Sequence, residues 1–124
     1  MKYLLIDDNP IDLMVNEKVI INIDRKNEVI QKRSGPEALS YINDSDNSLP
    51  DVVLLDIKMP LMDGFQFLEE LAKQNLAALQ KMTVYLVSSS IDPFDQKRSS
   101  ENPHIKAFLK KPLNRRELEK EFQE

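Results

Sequence analysis

The sequence predicts an α/β fold: a single, doubly wound sheet of five parallel strands with helices on both faces. Short apolar runs alternate with longer amphipathic stretches along the chain, and this alternation is typical of repeated strand–helix units with right-handed crossovers. One run is apolar without interruption, as expected of a central strand that is covered on both faces. The 124 residues, 41% of them hydrophobic and 31% charged, suffice for one globular domain.

The first strand and helix are marked by a short apolar run and a capping signal. Tyr3–Ile6 is the predicted strand. Asn9 and Pro10 then indicate the start of a helix over residues 10–24, because Asn is a favoured N-cap and Pro fits the first helical position. Apolar residues recur at roughly helical spacing within it: Ile11, Met14, Val15, Val19 and Ile21.

The next elements lead to the uninterrupted apolar run. Glu28–Lys32 is predicted to be the second strand, and Ser34-Gly35-Pro36-Glu37 opens the second helix. The third strand is Asp51–Asp56, preceded by a polar loop over residues 43–50. The predicted inward face of the second helix consists of three apolar residues: Ala38, Leu39 and Ile42.

The second half of the chain continues the alternation and ends in a helix. Three helices and two strands are predicted there, in the order helix Phe65–Gln80 with a break near Asn75, strand Met82–Val87, a short polar helix within Ile91–Ser100, strand His104–Leu109, and helix Asn114–Glu124. Asn114 is the expected cap of the last helix, and Leu118 and Phe122, four residues apart, are its predicted buried stripe.

Composition excludes several classes of function. The formal net charge of −4 lacks the basic excess of nucleic-acid-binding proteins, so no nucleic-acid partner is expected. The absence of cysteine excludes disulfides, thiolate metal sites and a cysteine nucleophile. Neither a signal peptide nor an apolar run of membrane-spanning length is visible, so we expect a cytoplasmic protein without a membrane partner.

Five polar side chains fall where predicted strands end. Asp7 and Asp8 follow the first strand, Asp56 ends the third, Ser88 follows the fourth and Lys111 the fifth. In open α/β sheets, ligands bind beyond the carboxyl ends of the strands. Neighbouring carboxylates repel, and a hard cation such as Mg²⁺ relieves that repulsion. A carboxylate can also form an aspartyl phosphate, with a metal, an ammonium and a hydroxyl stabilising the transferred group.

These residues and their surroundings resemble the response-regulator receiver domains of bacterial two-component signalling. The resemblance covers essentially the whole chain, and each motif lies at a predicted strand end. It rests on four motifs in order: Asp7-Asp8, Asp56-Ile57-Lys58-Met59-Pro60 with Met62-Asp63-Gly64, Val87-Ser88-Ser89, and Lys111-Pro112. It implies a flavodoxin-like sheet of strand order 2-1-3-4-5, which is known for this family rather than worked out from the pattern.

The resemblance also implies a role for each site residue. Asp56 would be the phosphoacceptor and a ligand of Mg²⁺. The other Mg²⁺ ligands would be Asp8, the backbone carbonyl of Lys58 and, through a water molecule, Asp7. Ser88 and Lys111 would hold the phosphoryl oxygens. Phe108 would be the aromatic switch residue, here without a tyrosine hydroxyl, and the peptide bond before Pro112 would be cis. Lys58 and Ser90 would tune the lifetime of the phosphoryl group. A shielding Lys58 side chain leads us to expect a lifetime of minutes or longer.

Simpler explanations exist for each motif alone. Asp7 and Asp8 could simply cap the following helix, and Ser88 could be an ordinary loop residue. Lys111 could be an exposed surface lysine, and Phe108 an ordinary core residue. Gly64 is expected to supply a backbone angle that other residues resist. A haloacid-dehalogenase-type phosphatase and a flavodoxin fit the motif spacing less well. A receiver-like module that binds partners without phosphorylation is the more serious alternative, and the complete set of polar residues argues against it.

The expected partners follow from the resemblance. They are a sensor histidine kinase or a histidine phosphotransfer protein upstream, and an unidentified protein downstream that reads residues 91–124. We expect a signalling phosphoacceptor rather than an enzyme, present as a monomer or weak dimer. Residues 1–124 are predicted to form the receiver domain with no effector domain in this chain, and whether it acts alone or is part of a longer protein stays open.

Overall fold

A computed structural model of the protein describes residues 1–90 and 92–122. The strands and helices alternate as predicted, each strand being followed by a helix. They are β1 (Lys2–Ile6), α1 (Pro10–Ile23), β2 (Glu28–Lys32), α2 (Gly35–Asn43), β3 (Val52–Asp56), α3 (Gly64–Lys81), β4 (Thr83–Ser88), α4 (Pro93–Glu101), β5 (Ile105–Lys110) and α5 (Arg115–Glu121).

The strands form one parallel sheet in the order β2-β1-β3-β4-β5. This confirms the predicted fold class and the strand order that the resemblance implied. β3 lies at the centre of the sheet, and all five of its residues are buried, as expected for a strand with helices on both sides. The peptide bond between Lys111 and Pro112 is cis, as expected.

Alternate residues of the central strands feed two separate cores. On one face, Leu4, Ile6, Val53 and Leu55 pack with residues of α2 and α3. On the other face, the intervening residues pack with α1 and α5, in a cluster that includes Tyr3, Leu5, Leu54, Leu13, Ile20 and Leu118. The two cores hold the strands from both sides and fix the edge of the sheet at which the polar residues lie.

Capping residues start the helices where the sequence predicted. The Asn9 side chain accepts hydrogen bonds from the backbone N–H groups of Ile11 and Asp12, at 2.9 and 3.3 Å. Ser34 and Asn114 cap α2 and α5 in the same way. The predicted break in α3 is confirmed, since Asn75 has a non-helical backbone.

The apolar residues whose spacing predicted α1 do not form its buried face. Ile11 and Met14 are 65% and 50% exposed, and the buried residues of the helix are Leu13, Asn16 and Ile20. α1 has apolar side chains on several sides and a polar residue in its buried stripe. Periodicity therefore indicates the helix but not the side of it that faces the sheet.

The last helix is shorter than predicted, and its second apolar residue is only partly covered. Leu118 is fully buried as expected, whereas Phe122 follows the end of α5 and is 38% exposed. Its ring still lies edge-on to Tyr3 and Tyr85, with centroids 6.3 Å apart in both cases. The predicted continuation to Glu124, like Ile91 before α4, lies outside the described residues.

Across residues 1–90 and 92–122, none of the helices combines the length and the apolar composition that a membrane crossing requires.

We predict that the two faces of α1 differ strongly in their contribution to stability. Ile20→Ala removes a fully buried side chain and should lower the free energy of unfolding by about 2–5 kcal/mol. Ile11→Ala, the matched substitution on the exposed face, should change it by less than about 0.5 kcal/mol. Urea denaturation of the two variants measures the difference, and similar losses for both would contradict the orientation of α1.

Candidate functional site

Parallel pairing of β1 and β3 brings the two acidic motifs together. Ile6 pairs with Leu55, so Asp7 continues along β1 beside Asp56 at the end of β3. Both carboxylic residues are buried, at 3% and 7% exposure. The Asp7 side chain also accepts a hydrogen bond from the backbone N–H of Asn9 at 2.9 Å, which ties it to the start of α1.

β4 and β5 bring the serine and the lysine to the same edge. Asp56 pairs with Val87, one residue before Ser88, and Ser88 pairs with Lys110, one residue before Lys111. The backbone N–H of Lys111 donates to the Ser88 carbonyl at 2.8 Å. A register shift near Val84 and Tyr85 sets this pairing, because it inserts one residue of β5 before the site.

The structure groups three carboxylates that can hold a metal ion. Asp7, Asp8 and Asp56 each offer an oxygen, and these oxygens lie within 4.8 Å of one another. An oxygen-only set with few protein ligands suits Mg²⁺, which retains several waters. The surroundings of Asp56 fit a cation as well: burial first, and then the charges of Asp7 and Asp8, raise its pKa to about 6 despite the opposing charge of Lys111.

Lys111 supplies the positive charge that the acids require. Its ammonium group donates to Asp7 Oδ2 at 2.6 Å and to Asp12 Oδ2 at 3.0 Å, and its nitrogen lies 3.6 Å from Asp56 Oδ1. Burial lowers the pKa of Lys111, but its hydrogen bonds to Asp7 and Asp12 and the charge of Asp56 outweigh that effect and raise the pKa above 10.5. The lysine is therefore charged at neutral pH.

The remaining predicted residues lie around this centre. Ser88 is buried, and its hydroxyl oxygen accepts a hydrogen bond from the backbone N–H of Ser90 at 3.3 Å. The side chains of Lys58 and Ser90 are exposed, and Phe108 on β5 is partly buried against the core that includes α2 and α3. The nearby backbone of Lys58 lowers the pKa of Asp56, against the larger effect of burial. The roles of these residues in metal binding, lifetime and switching stay predictions.

The reason for glycine at position 64 differs from the expected one. Gly64 has no positive φ, so an unusual backbone angle does not explain it. Instead, a Cβ atom there would lie 2.8 Å from the Asp56 carbonyl oxygen and 3.2 Å from Ile57 Cα. The start of α3 thus packs against the backbone at the end of β3, and the Gly64 N–H donates to the Ile57 carbonyl at 2.8 Å.

Asp12 is a site residue that the sequence analysis missed. It lies in the first turn of α1, where an acid also has a plain explanation in the helix dipole. The signal that would have identified it is its position on the helix directly after Asp7 and Asp8, facing the same edge of the sheet. Its hydrogen bond to Lys111 spans 99 positions of the chain, which no local pattern predicts.

Comparison with known proteins gives a consistent result. A family model described as the response regulator receiver domain matches residues 3–123. The response regulator Rcp1 of Synechocystis is 30% identical over 124 residues, covering 97% of this chain and 82% of Rcp1. The hybrid signal transduction histidine kinase L of Dictyostelium discoideum is 30% identical over 118 residues, and the match covers 94% of this chain but 7% of the kinase. The chain thus spans most of one relative and a small part of another.

Solved structures with the same fold are also response regulators. The two-component response regulator from Cytophaga hutchinsonii aligns with a TM-score of 0.90 at 28% identity, covering 98% of this chain and 92% of that one. The bacteriophytochrome response regulator AtBRR aligns with a TM-score of 0.81 at 33% identity, covering 98% and 89%.

We predict that the metal-free protein is destabilised by the charge on Asp56. Its pKa is raised from 3.8 to about 6 on folding, so the folded state binds more protons than the unfolded state between these values. The contribution of Asp56 to the free energy of unfolding therefore falls as pH rises from about 4 to 6 and stays low above that. Asp56→Asn should stabilise the protein by about 1–3 kcal/mol at pH 8 and much less at pH 4.

Urea denaturation with EDTA at both pH values measures this effect. Asp51→Asn, which removes an exposed carboxylate just before the start of the same strand, is the matched control and should show no gain at pH 8. An equal effect of Asp56→Asn at the two pH values would contradict the prediction.

Proposed function

Because this chain belongs to the response regulator receiver domains of two-component systems, we propose that it accepts a phosphoryl group on Asp56. The donor would be a phosphohistidine of a sensor histidine kinase or of a histidine phosphotransfer protein. The observation that carries the proposal is the convergence of Asp7, Asp8 and Asp56 with Lys111 at one edge of the sheet. We further propose that Mg²⁺ is the required cofactor.

The proposed reaction is a direct transfer to a carboxylate. An Asp56 oxygen attacks phosphorus, the bond from phosphorus to the donor nitrogen breaks, and the imidazole leaves with its electron pair. Mg²⁺, held by Asp7, Asp8, Asp56 and the Lys58 carbonyl, would neutralise charge on the phosphoryl oxygens. Lys111 lies 3.6 Å from Asp56 Oδ1 and would donate to one phosphoryl oxygen.

We propose that the Ser88 hydroxyl binds a second phosphoryl oxygen. Its hydroxyl oxygen accepts from the Ser90 N–H, which leaves the O–H free to donate. Movement of Ser88 toward the phosphoryl group would act on β4, and Phe108 on the adjacent β5 would follow as the switch residue. The output would then be a change in the face formed by α4, β5 and α5.

Two exposed side chains beside the acceptor are proposed to set the lifetime of the phosphoryl group. Lys58 follows Asp56 by two positions, and Ser90 follows Ser88 by two. Both are exposed, and we propose that they border the path of a hydrolytic water. A long lysine chain would hinder that water, which supports the proposed lifetime of minutes or longer.

The cellular setting is proposed from the family alone. We propose a cytoplasmic signalling phosphoacceptor that acts as a monomer or weak dimer, receives its phosphoryl group from a histidine kinase or phosphotransfer protein, and passes the signal to a protein partner. Some relatives are far longer than this chain, and the proposed function concerns only the part of them that matches it.

We predict that a small phosphodonor labels one residue. Incubation with acetyl phosphate and Mg²⁺ should add a single phosphoryl group, detected by intact-protein mass spectrometry, and EDTA should prevent the addition. Asp56→Asn should abolish labelling because it removes the nucleophilic oxygen. Asp51→Asn, just before the start of the same strand, should label normally. No labelling of the wild type by any donor would favour a module that binds partners without phosphorylation.

We predict that phosphorylation alters amide exchange mainly in residues 92–109. α4 buries only Ser99 among its residues, so its opening costs less free energy than opening of β3, all of whose residues are buried. Hydrogen exchange with mass spectrometry should show a several-fold change in α4 and β5, whereas β3 serves as the internal reference. Unchanged exchange over residues 92–109 would contradict the proposed output face.

A further inference from the structure

Lys111 has a carboxylate partner that lies outside the acid cluster. Its ammonium group bonds Asp12 as well as Asp7. Asp12 is not one of the three residues whose carboxylate oxygens lie within 4.8 Å of one another. Within the described part of the chain, Asp12 therefore binds the lysine of the site without belonging to the group of acids that can hold a metal.

The two partners contact Lys111 from different surroundings. The side chains of Asp7 and Asp56 are 5% and 9% exposed, and that of Lys111 is 10% exposed. The Asp12 side chain is 36% exposed. Asp12 is thus the carboxylate on the solvent side of the ammonium group, and the other two carboxylates lie on its buried side.

The hydrogen bonds of Lys111 leave one donor for the reaction. An ammonium group has three N–H donors, and Asp7 and Asp12 accept two of them, at 2.6 and 3.0 Å. The separation of 3.6 Å between Lys111 Nζ and Asp56 Oδ1 exceeds a normal hydrogen bond. A phosphoryl oxygen bound at Asp56 would therefore meet an unused donor.

Binding of a divalent cation changes the balance between these partners. The cation would draw on Asp7, which is also the nearest partner of Lys111, and would place a like charge beside the ammonium group. Asp12 does not share its carboxylate with the cation. Asp12 can therefore keep the lysine in the site when the contact between Lys111 and Asp7 weakens. Without Asp12, the cation would repel the Lys111 side chain toward solvent.

We propose that Asp12 is a positioning residue that keeps the Lys111 ammonium group beside Asp56 while the cation and the phosphoryl group are bound. This inference rests on the proposed function, because it gives Asp12 a task only where cation binding and phosphoryl transfer take place. Asp12 would act through Lys111 and would not itself contact the reacting atoms.

A double-mutant cycle on Mg²⁺ affinity tests the coupling. Amide chemical shifts of ¹⁵N-labelled protein would be followed during Mg²⁺ titration for the wild type, Asp12→Asn, Lys111→Met and the double variant. Asp12→Asn should tighten Mg²⁺ binding by roughly 3-fold when Lys111 is present, because the ammonium group that moves away no longer repels the cation. In the Lys111→Met background it should instead weaken Mg²⁺ binding, by less than about 2-fold, because only a negative charge is lost. Equal weakening in both backgrounds would reduce the role of Asp12 to its charge and overturn the proposal.

Two further variants separate positioning from general effects. Glu17→Gln removes one negative charge from the same helix while retaining an oxygen that can accept from Gln31, as Glu17 does at 3.3 Å, and it should leave Mg²⁺ affinity within about 2-fold of wild type. Asp12→Glu should bring Mg²⁺ affinity back toward the wild-type value and restore part of the labelling rate that Asp12→Asn loses at saturating Mg²⁺, because it returns the carboxylate. An Asp12→Asn variant that is labelled at the wild-type rate at saturating Mg²⁺ would also overturn the proposal.

The cycle distinguishes this inference from the proposed function. If the wild type binds Mg²⁺ but never takes up a phosphoryl group, phosphoryl transfer fails while the titration still decides whether Asp12 acts through Lys111. If the wild type labels normally and the cycle shows no coupling, only the role of Asp12 fails. Absence of Mg²⁺ binding by the wild type would overturn both.

Discussion

The carboxylates at the edge of the sheet repel one another, and the rest of the structure has to hold them together against this repulsion. Three acids offer oxygens within 4.8 Å of one another, and burial with this crowding raises the pKa of Asp56 to about 6. Such a group stays together only if its backbone cannot relax. Pairing of β1 with β3 and apolar packing on both faces of the sheet prevent that relaxation, and Lys111 supplies the compensating charge. The same repulsion favours a divalent cation, since a cation removes the cost that the fold imposes.

Hydrogen bonds and close packing hold the segments that follow β1 and β3. Asp7 accepts from the Asn9 N–H at the start of α1, and the Asp63 and Gln66 side chains form a capping box at the start of α3. Gly64 allows that helix to approach the Asp56 carbonyl more closely than a side chain would permit. The acids therefore occupy positions that are fixed from the strand before them and from the helix after them, as preorganised electrostatic chemistry requires.

The sequence predicted those features that depend on local chemistry or on the ends of parallel strands. The apolar run of β3, the caps and the break at Asn75 each have a local cause, and the grouping of the acids follows from the fold class. What failed depends on tertiary packing. The apolar residues of α1 do not reveal which side of the helix faces the sheet. Glycine is required at position 64 by the close backbone of Asp56, and not by the backbone angles of Gly64 itself. The register shift in β5 and the bond between Asp12 and Lys111 join distant parts of the chain and have no local signature.

The distribution of burial favours β5 as the route by which a signal would leave the site, although the proposed acceptor lies on β3. Moving a segment costs free energy in proportion to the apolar area that it exposes. β3 is buried along its whole length, whereas β5 has only two buried residues, Ile105 and Leu109, and α4 buries only Ser99. Lys111 joins the two regions, because its side chain contacts the acids and its backbone directly follows β5 and bonds Ser88. A change in charge at Asp56 would therefore act, through Lys111, on β5, which carries Phe108, and on the weakly buried helix α4 beside it.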